Sequence, residues 1–174
     1  MHSSQTQHQP QHPAPRIDYA GFQELAPAVV AALAALGKAV DQSGLDKSLT
    51  ELLKVHASRL NACAFCLQYH LNLARQLGVD EARLDQLADW RTAPVYSPRE
   101  RAALAWTEAL TLQAQHAATD AAFLEVQAQF SASEITFLTA AVAAIQAWNR
   151  IAGALHFTPP PAVAVAATAT NARA

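Results

Sequence analysis

The chain has two cysteines, Cys63 and Cys66, and both lie in one stretch, Cys63-Ala64-Phe65-Cys66-Leu67-Gln68-Tyr69-His70. His70 follows the second cysteine by four residues, and Glu51 precedes the first by twelve. Together these supply a nucleophile, a second thiol able to close a disulfide, a base and a carboxylate. Cys-x-x-Cys spacing lets two thiols pair within one helical turn and often accompanies lowered thiol pKa values. On a helix, positions 63, 66 and 70 share one face. Cys63 falls in the first turn, where unpaired backbone N–H groups and the positive end of the helix dipole favour an anion. A Glu51 carboxylate on a preceding antiparallel helix would reach the His70 imidazole, orient it and favour its protonated form. The chemistry these parts permit is peroxide reduction. A thiolate attacks the O–O bond and becomes a sulfenic acid, which condenses with the second thiol to a disulfide. His70 backed by Glu51 is the path for the proton that the leaving alkoxide takes, and an external dithiol resets the pair by exchange.

These groups need elements to hold them. Apolar residues recur at helical spacing through the middle of the chain, with no convincing alternating strand, which predicts an all-α fold. Leu25, Val29, Leu33, Leu36 and Val40 predict one first helical region, ended by Ser43-Gly44. Asp46 is placed to cap a second helix. Asn61-Ala62 marks a break, after which Cys63 or Ala64 opens a third helix reaching Leu77, with Gly78 as its stop. Asp80 starts a short helix. Ser97-Pro98-Arg99-Glu100 and Ser131-Ala132-Ser133-Glu134 read as capping boxes, and Thr119 or Asp120 caps a helix between them. The charges of Arg99 to Arg101 read as an exposed first turn.

The pattern Glu51-x11-Cys63-x2-Cys66-x3-His70 resembles the signature of the alkyl hydroperoxidase D family within the carboxymuconolactone decarboxylase-like superfamily. The flanks carry it further: Ser58-Arg59-Leu60-Asn61-Ala62 before the pair, Ala74-Arg75-Gln76-Leu77-Gly78 after it, then Glu100 to Ala109 and Ala147-Trp148-Asn149-Arg150. The resemblance spans residues 18 to 157. It implies an all-helical fold, an antioxidant thiol peroxidase working on organic hydroperoxides or hydrogen peroxide without a cofactor, and assembly into trimers or hexamers. By the same resemblance Cys66 becomes the sulfenic acid, Cys63 is its disulfide partner and proton donor, and Glu51 with His70 forms the relay. The dipole argument favours Cys63 as the more acidic thiol, and the two arguments leave the order open. Where the best-known members place a histidine directly before the second cysteine, this chain has Phe65. His56 stands where similar sequences lead one to expect arginine.

Composition bounds the rest. At 174 residues the chain fits one helical domain over 17–157, between loose tails at 1–16 and 158–174. Charged residues make up 15% and apolar ones 52%, against about 25% charged in an ordinary domain. So little charge predicts surface buried between subunits. A formal charge of −2 offers no basic field for nucleic acid. No apolar run approaches a membrane span. The first sixteen residues lack the apolar core of a secretory signal, which predicts a cytoplasmic chain, where a cysteine pair is catalytic or metal-binding more often than structural. The partners expected are a peroxide, a dithiol reductant and further copies of the chain. The competing readings are a zinc site on Cys63, Cys66 and His70 with Glu51 or His56 as fourth ligand, a redox sensor, and a lyase of the kind that cysteine-free superfamily members perform. Haem attachment is excluded in its usual form because Leu67, not histidine, follows Cys66.

Overall fold

Each helix start that the sequence marks with a capping residue carries that cap. In the computed structural model, which describes residues 14–163, Asp46 accepts from the Ser48 N–H to open α3 (Lys47–Leu60). Asp80 opens the short α5 (Glu81–Asp85), which runs on into a single 3-10 turn at Gln86–Asp89. Both capping boxes form, with Ser97 and Glu100 at α6 (Pro98–Thr111) and Ser131 and Glu134 at α8 (Ala132–Leu155). Thr119 caps α7 (Asp120–Gln127). Among the described residues the regular elements are all helical, as the apolar periodicity predicts.

The single helical region expected around Leu25 to Val40 is instead two helices, α1 (Tyr19–Leu25) and α2 (Pro27–Asp41), which meet at 105°. The cause is Pro27. Its ring disfavours helical geometry at the residue before it, and Ala26 sits at φ −134°, ψ 51°. Proline at the first helical position then suits the start of α2. The apolar spacing runs through this joint, so periodicity alone conceals it.

Helix α3 is the hub. It packs against α6, α8 and the next helix, α4 (Ala64–Gln76), burying Leu49, Leu52, Leu53 and Val55 in the main core with Leu87, Leu104 and Leu138. Each fully buried leucine contributes about 2 kcal/mol of transfer free energy. A second apolar cluster holds Cys63 and Cys66 among Ala57, Ile145, Ala152 and Phe157, with Tyr19, Phe22, Phe65 and Trp148 packed against it. In contrast, α2 buries only Val40. Leu25 is 74% exposed, and Val29 and Leu36 are exposed too.

Three further expectations change. Residues 158–163, expected as the start of a loose tail, run along α4, where Asn72 Nδ2 donates to Pro161 O and Val163 N donates to Asn72 Oδ1. At the other end Arg16 is tied to α8 through Leu155 O and Ala154 O. The expected tails at 1–13 and 164–174 lie outside the described residues. The Arg99 to Arg101 turn is not free in solvent: Arg99 pairs with Glu134, Glu100 with Arg83, and Arg101 donates to Tyr96 O and Ala93 O. These contacts fasten the loop before α6, a use of charge that no local pattern signals. Among the described residues no single helix is long and apolar enough to cross a membrane.

Candidate active site at the cysteine pair

The turn between α3 and α4 places the thiols. Ala62 takes the left-handed conformation at φ 51°, which costs an L-residue about 1 kcal/mol, and Cys63 N then donates back to Ser58 O at 3.0 Å. Cys63 becomes the N-cap of α4, its Sγ accepting from the Cys66 N–H at 3.3 Å. Gly78, at φ +77°, lets the chain turn away past the helix end. Both cysteines are free thiols and buried.

Two features act on these thiols in opposite directions. Cys63 is brought down from an ordinary 9.0 to about 7, chiefly because the Cys66 thiol donates to its sulfur. Burial opposes this, while N–H groups of Cys66 and Phe65 and the Asn149 side chain add to it. Cys66 is pushed up by its bond to Cys63, by burial and by the neighbouring negative charge. Cys63 is therefore the first of the pair to lose its proton, and it is the thiol the dipole argument favours.

Glu51 is 1% exposed on α3. Its Oε2 lies 2.6 Å from His70 Nδ1, and its Oε1 accepts from Lys54 Nζ at 2.7 Å. Burial pulls this carboxyl upward, but the hydrogen bonds and charges of His70 and Lys54 prevail and hold it below its ordinary value. With Nδ1 engaged, Nε2 is the imidazole nitrogen left for other partners. Glu51, His70 and Cys66 all line one cavity of about 570 Å³, walled by Tyr19, Phe65, Tyr69 and Trp148 with part of α2. Cys63 is not among the lining residues. The four residues singled out by spacing thus form two pairs, with Glu51, His70 and Cys66 on the cavity and Cys63 behind Cys66.

Lys54 escapes sequence reading, although its place one turn after Glu51 is a signal for an ion pair. Asn149 appears in the sequence only as a flank of the resemblance, because its partners are far away in the chain. His56 does not join the site. It lies against Trp90, ring centroids 6.0 Å apart, with Nε2 3.5 Å from Glu108 Oε2 and without a hydrogen bond. Glu108 is held instead by Arg91 and Trp90. Among the described residues no three His, Cys, Asp or Glu side chains converge to hold a metal ion, so the zinc arrangement does not form.

An all-helical fold with this thiol pair and carboxylate–histidine pair defines the class: residues 27–109 match the carboxymuconolactone decarboxylase family, and the chain belongs to it, with an AhpD-like fold. It is 31% identical to the uncharacterized protein YdfG of Bacillus subtilis (strain 168) over 134 residues, 77% of this chain and 91% of YdfG. A solved protein of unknown function from Agrobacterium tumefaciens, described as a candidate antioxidant defence protein AhpD, superposes with a TM-score of 0.80 at 38% identity, covering 85% of this chain and 99% of that one. The debrominase Bmp8 shares the fold at 21% identity and a TM-score of 0.73, over 79% of this chain and 74% of its own.

Proposed function

We propose that this protein is a thiol peroxidase that reduces organic hydroperoxides or hydrogen peroxide through Cys66 and Cys63. The observation that carries the reading is the placement of Cys66 on the same cavity as the Glu51–His70 pair, beside a Cys63 thiol whose sulfur accepts the Cys66 N–H. The description of the Agrobacterium tumefaciens protein in terms of antioxidant defence supports it.

The reaction follows from the order in which the thiols lose their protons. Cys66 passes its proton to Cys63 and attacks one peroxide oxygen. The O–O bond breaks, Cys66 becomes a sulfenic acid, and the departing alkoxide takes a proton delivered by way of His70, whose Nδ1 is held by Glu51. The Cys63 sulfur then attacks the Cys66 sulfur. The disulfide forms, and the hydroxyl leaves as water with the Cys63 proton. A dithiol reductant returns both thiols by exchange and is itself oxidised to a disulfide. This sequence reconciles the two arguments about order: Cys63 holds the charge, while Cys66 meets the substrate.

The test is peroxide consumption with dithiothreitol as reductant, comparing wild type with Cys63→Ser, Cys66→Ser and His70→Ala. Cys66→Ser removes turnover. Cys63→Ser leaves a sulfenic acid on Cys66 that dimedone captures and mass spectrometry locates. His70→Ala slows turnover by about 100-fold or more, the usual worth of a positioned proton donor. Undiminished turnover in both cysteine variants ends the proposal.

A further inference from the structure

The cavity beside Cys66 is much larger than a peroxide group needs. Its volume is about 570 Å³, against about 30 Å³ for the share of one water in the liquid. Its shape follows from the helices that wall it. The α4 wall runs from Cys66 to Gln76 and the α2 wall from Val30 to Asp41, spans that each rise about 15 Å or more along a helix. Helix α3 lies antiparallel to α4, since Cys63 meets Ser58 and His70 meets Glu51. Lys47, at the start of α3, therefore marks the end of the cavity far from the thiols, where it pairs with Asp41. The cavity is elongated, with Cys66 at one end, His70 and Glu51 part-way along, and an ion pair at the other.

One residue keeps the middle of this cavity open. Gly37 lies inside α2, where glycine is the poorest helix former after proline. It has no left-handed φ, unlike Gly44 and Gly78. Close packing does not call for it either, since a Cβ at Gly37 would meet no atom within 4 Å. The space it faces is the cavity, which it lines with Leu33 and Ala34 across from Leu73. Here the walls are apolar. Both cations on the cavity, Lys54 and Lys47, are already held by Glu51 and Asp41. The chemistry of the space therefore suits an uncharged hydrocarbon chain better than a phosphate or a carboxylate.

We propose that the cavity is a subsite for the straight hydrocarbon chain of an alkyl hydroperoxide, which runs from Cys66 past Gly37 toward Lys47, and that Gly37 determines the acceptance of long chains. The inference rests on reading the cysteine pair as the peroxide site, but its first test contains no peroxide, so the two proposals fail separately. Decanol, the alcohol that reduction of decyl hydroperoxide leaves, is titrated into the reduced protein by calorimetry, with ethanol beside it. Decanol fills one site per chain in wild type, and ethanol gives no saturable binding. Gly37→Leu puts a side chain into the open middle and weakens decanol by about tenfold or more, the worth of about two methylenes kept from burial. Leucine is the better helix former and its Cβ meets no atom, so this variant melts at or above the wild-type midpoint. Should it fail to fold, Ala34→Leu on the same wall decides the matter in the same way. Wild type that does not bind decanol, or a folded variant that binds it as tightly as wild type, overturns the proposal. With peroxides, kcat/KM for decyl over ethyl hydroperoxide is about tenfold or more in wild type, through the same burial of methylenes, and the ratio falls in Gly37→Leu. Equal kcat/KM for the two in wild type overturns the chain subsite and leaves the peroxidase reading intact. Decanol bound in a Gly37-dependent way by a protein that consumes neither peroxide keeps the subsite and removes the peroxidase reading.

Discussion

At the scale of residues, the cysteine pair separates charge from access. Cys63 is the more acidic thiol, brought down to about 7, and Cys66 faces the cavity. The sign of the pH dependence follows: protonating the Cys63 thiolate removes the reactive anion, so turnover falls as pH drops through about 7 and levels off above it. Initial rates of peroxide consumption at saturating reductant across pH 5.5 to 8.5, chosen as about 1.5 either side of that midpoint, check this. A profile flat through neutral pH would show that the Cys63 thiolate is not what the reaction uses. Phe65 fits the same picture. It stacks on Tyr69 at 6.1 Å and meets Tyr19 and Phe157 at 5.4 and 5.2 Å. Phe65 therefore serves as part of the cavity wall, which leaves His70 and Glu51 as the proton path of the proposed reaction. Glu51 to His70 was readable from sequence because both lie on consecutive helices with local signals. The Asn61–Asn149 and Gln146–Thr111 links were not, since each joins residues brought together only by tertiary packing.

At the scale of elements, caps were the most legible feature and joints the least. Asp46, Ser97 and Ser131 act within their own first turns, so their chemistry is written locally. The bend at Ala26 arises from one proline inside an unbroken apolar spacing, and Pro27 reads equally well as a helix start or an interruption. Its result is α2, an apolar helix that leaves Leu25 beside it, Val29 and Leu36 open to water. Its charged residues, Lys38 and Asp41, lie near its end. An apolar face of that length is costly in water and drives association, which bears on the expectation of a homo-oligomer. Light scattering behind size exclusion should give a mass above that of one chain, and Val29→Lys with Leu36→Lys should lower it. A monomer mass for the unaltered chain would remove the argument.

The molecule as a whole carries a buried titratable group that its site does not use. Burial outweighs the Glu108 carboxylate and holds His56 down from 6.5 to about 4. The unfolded chain therefore binds a proton near pH 6.5 that the folded chain takes up only near 4. Stability falls as pH drops between those values, by an amount of order 1–3 kcal/mol. Below about 4 both states are protonated and His56 adds no further loss. Glu51 and Glu108, both held below their ordinary value, add their loss at lower pH, as their folded forms take up protons. Urea unfolding at pH 7, 5.5 and 4.5, chosen to bracket roughly that window, should give a flatter dependence for His56→Gln than for wild type. Equal slopes would assign the acid sensitivity to other groups.

The sulfur of Cys63 is also a piece of secondary structure, since it accepts the N–H that begins α4. In the proposed cycle, closing the disulfide would neutralise that acceptor, and reopening it would restore the cap. Under that proposal electron uptake and helix order are linked functions, each biasing the other by the same free energy. Any ligand or contact that tightens the first turn of α4 in the dithiol form would then make the protein easier to reduce, without touching either sulfur.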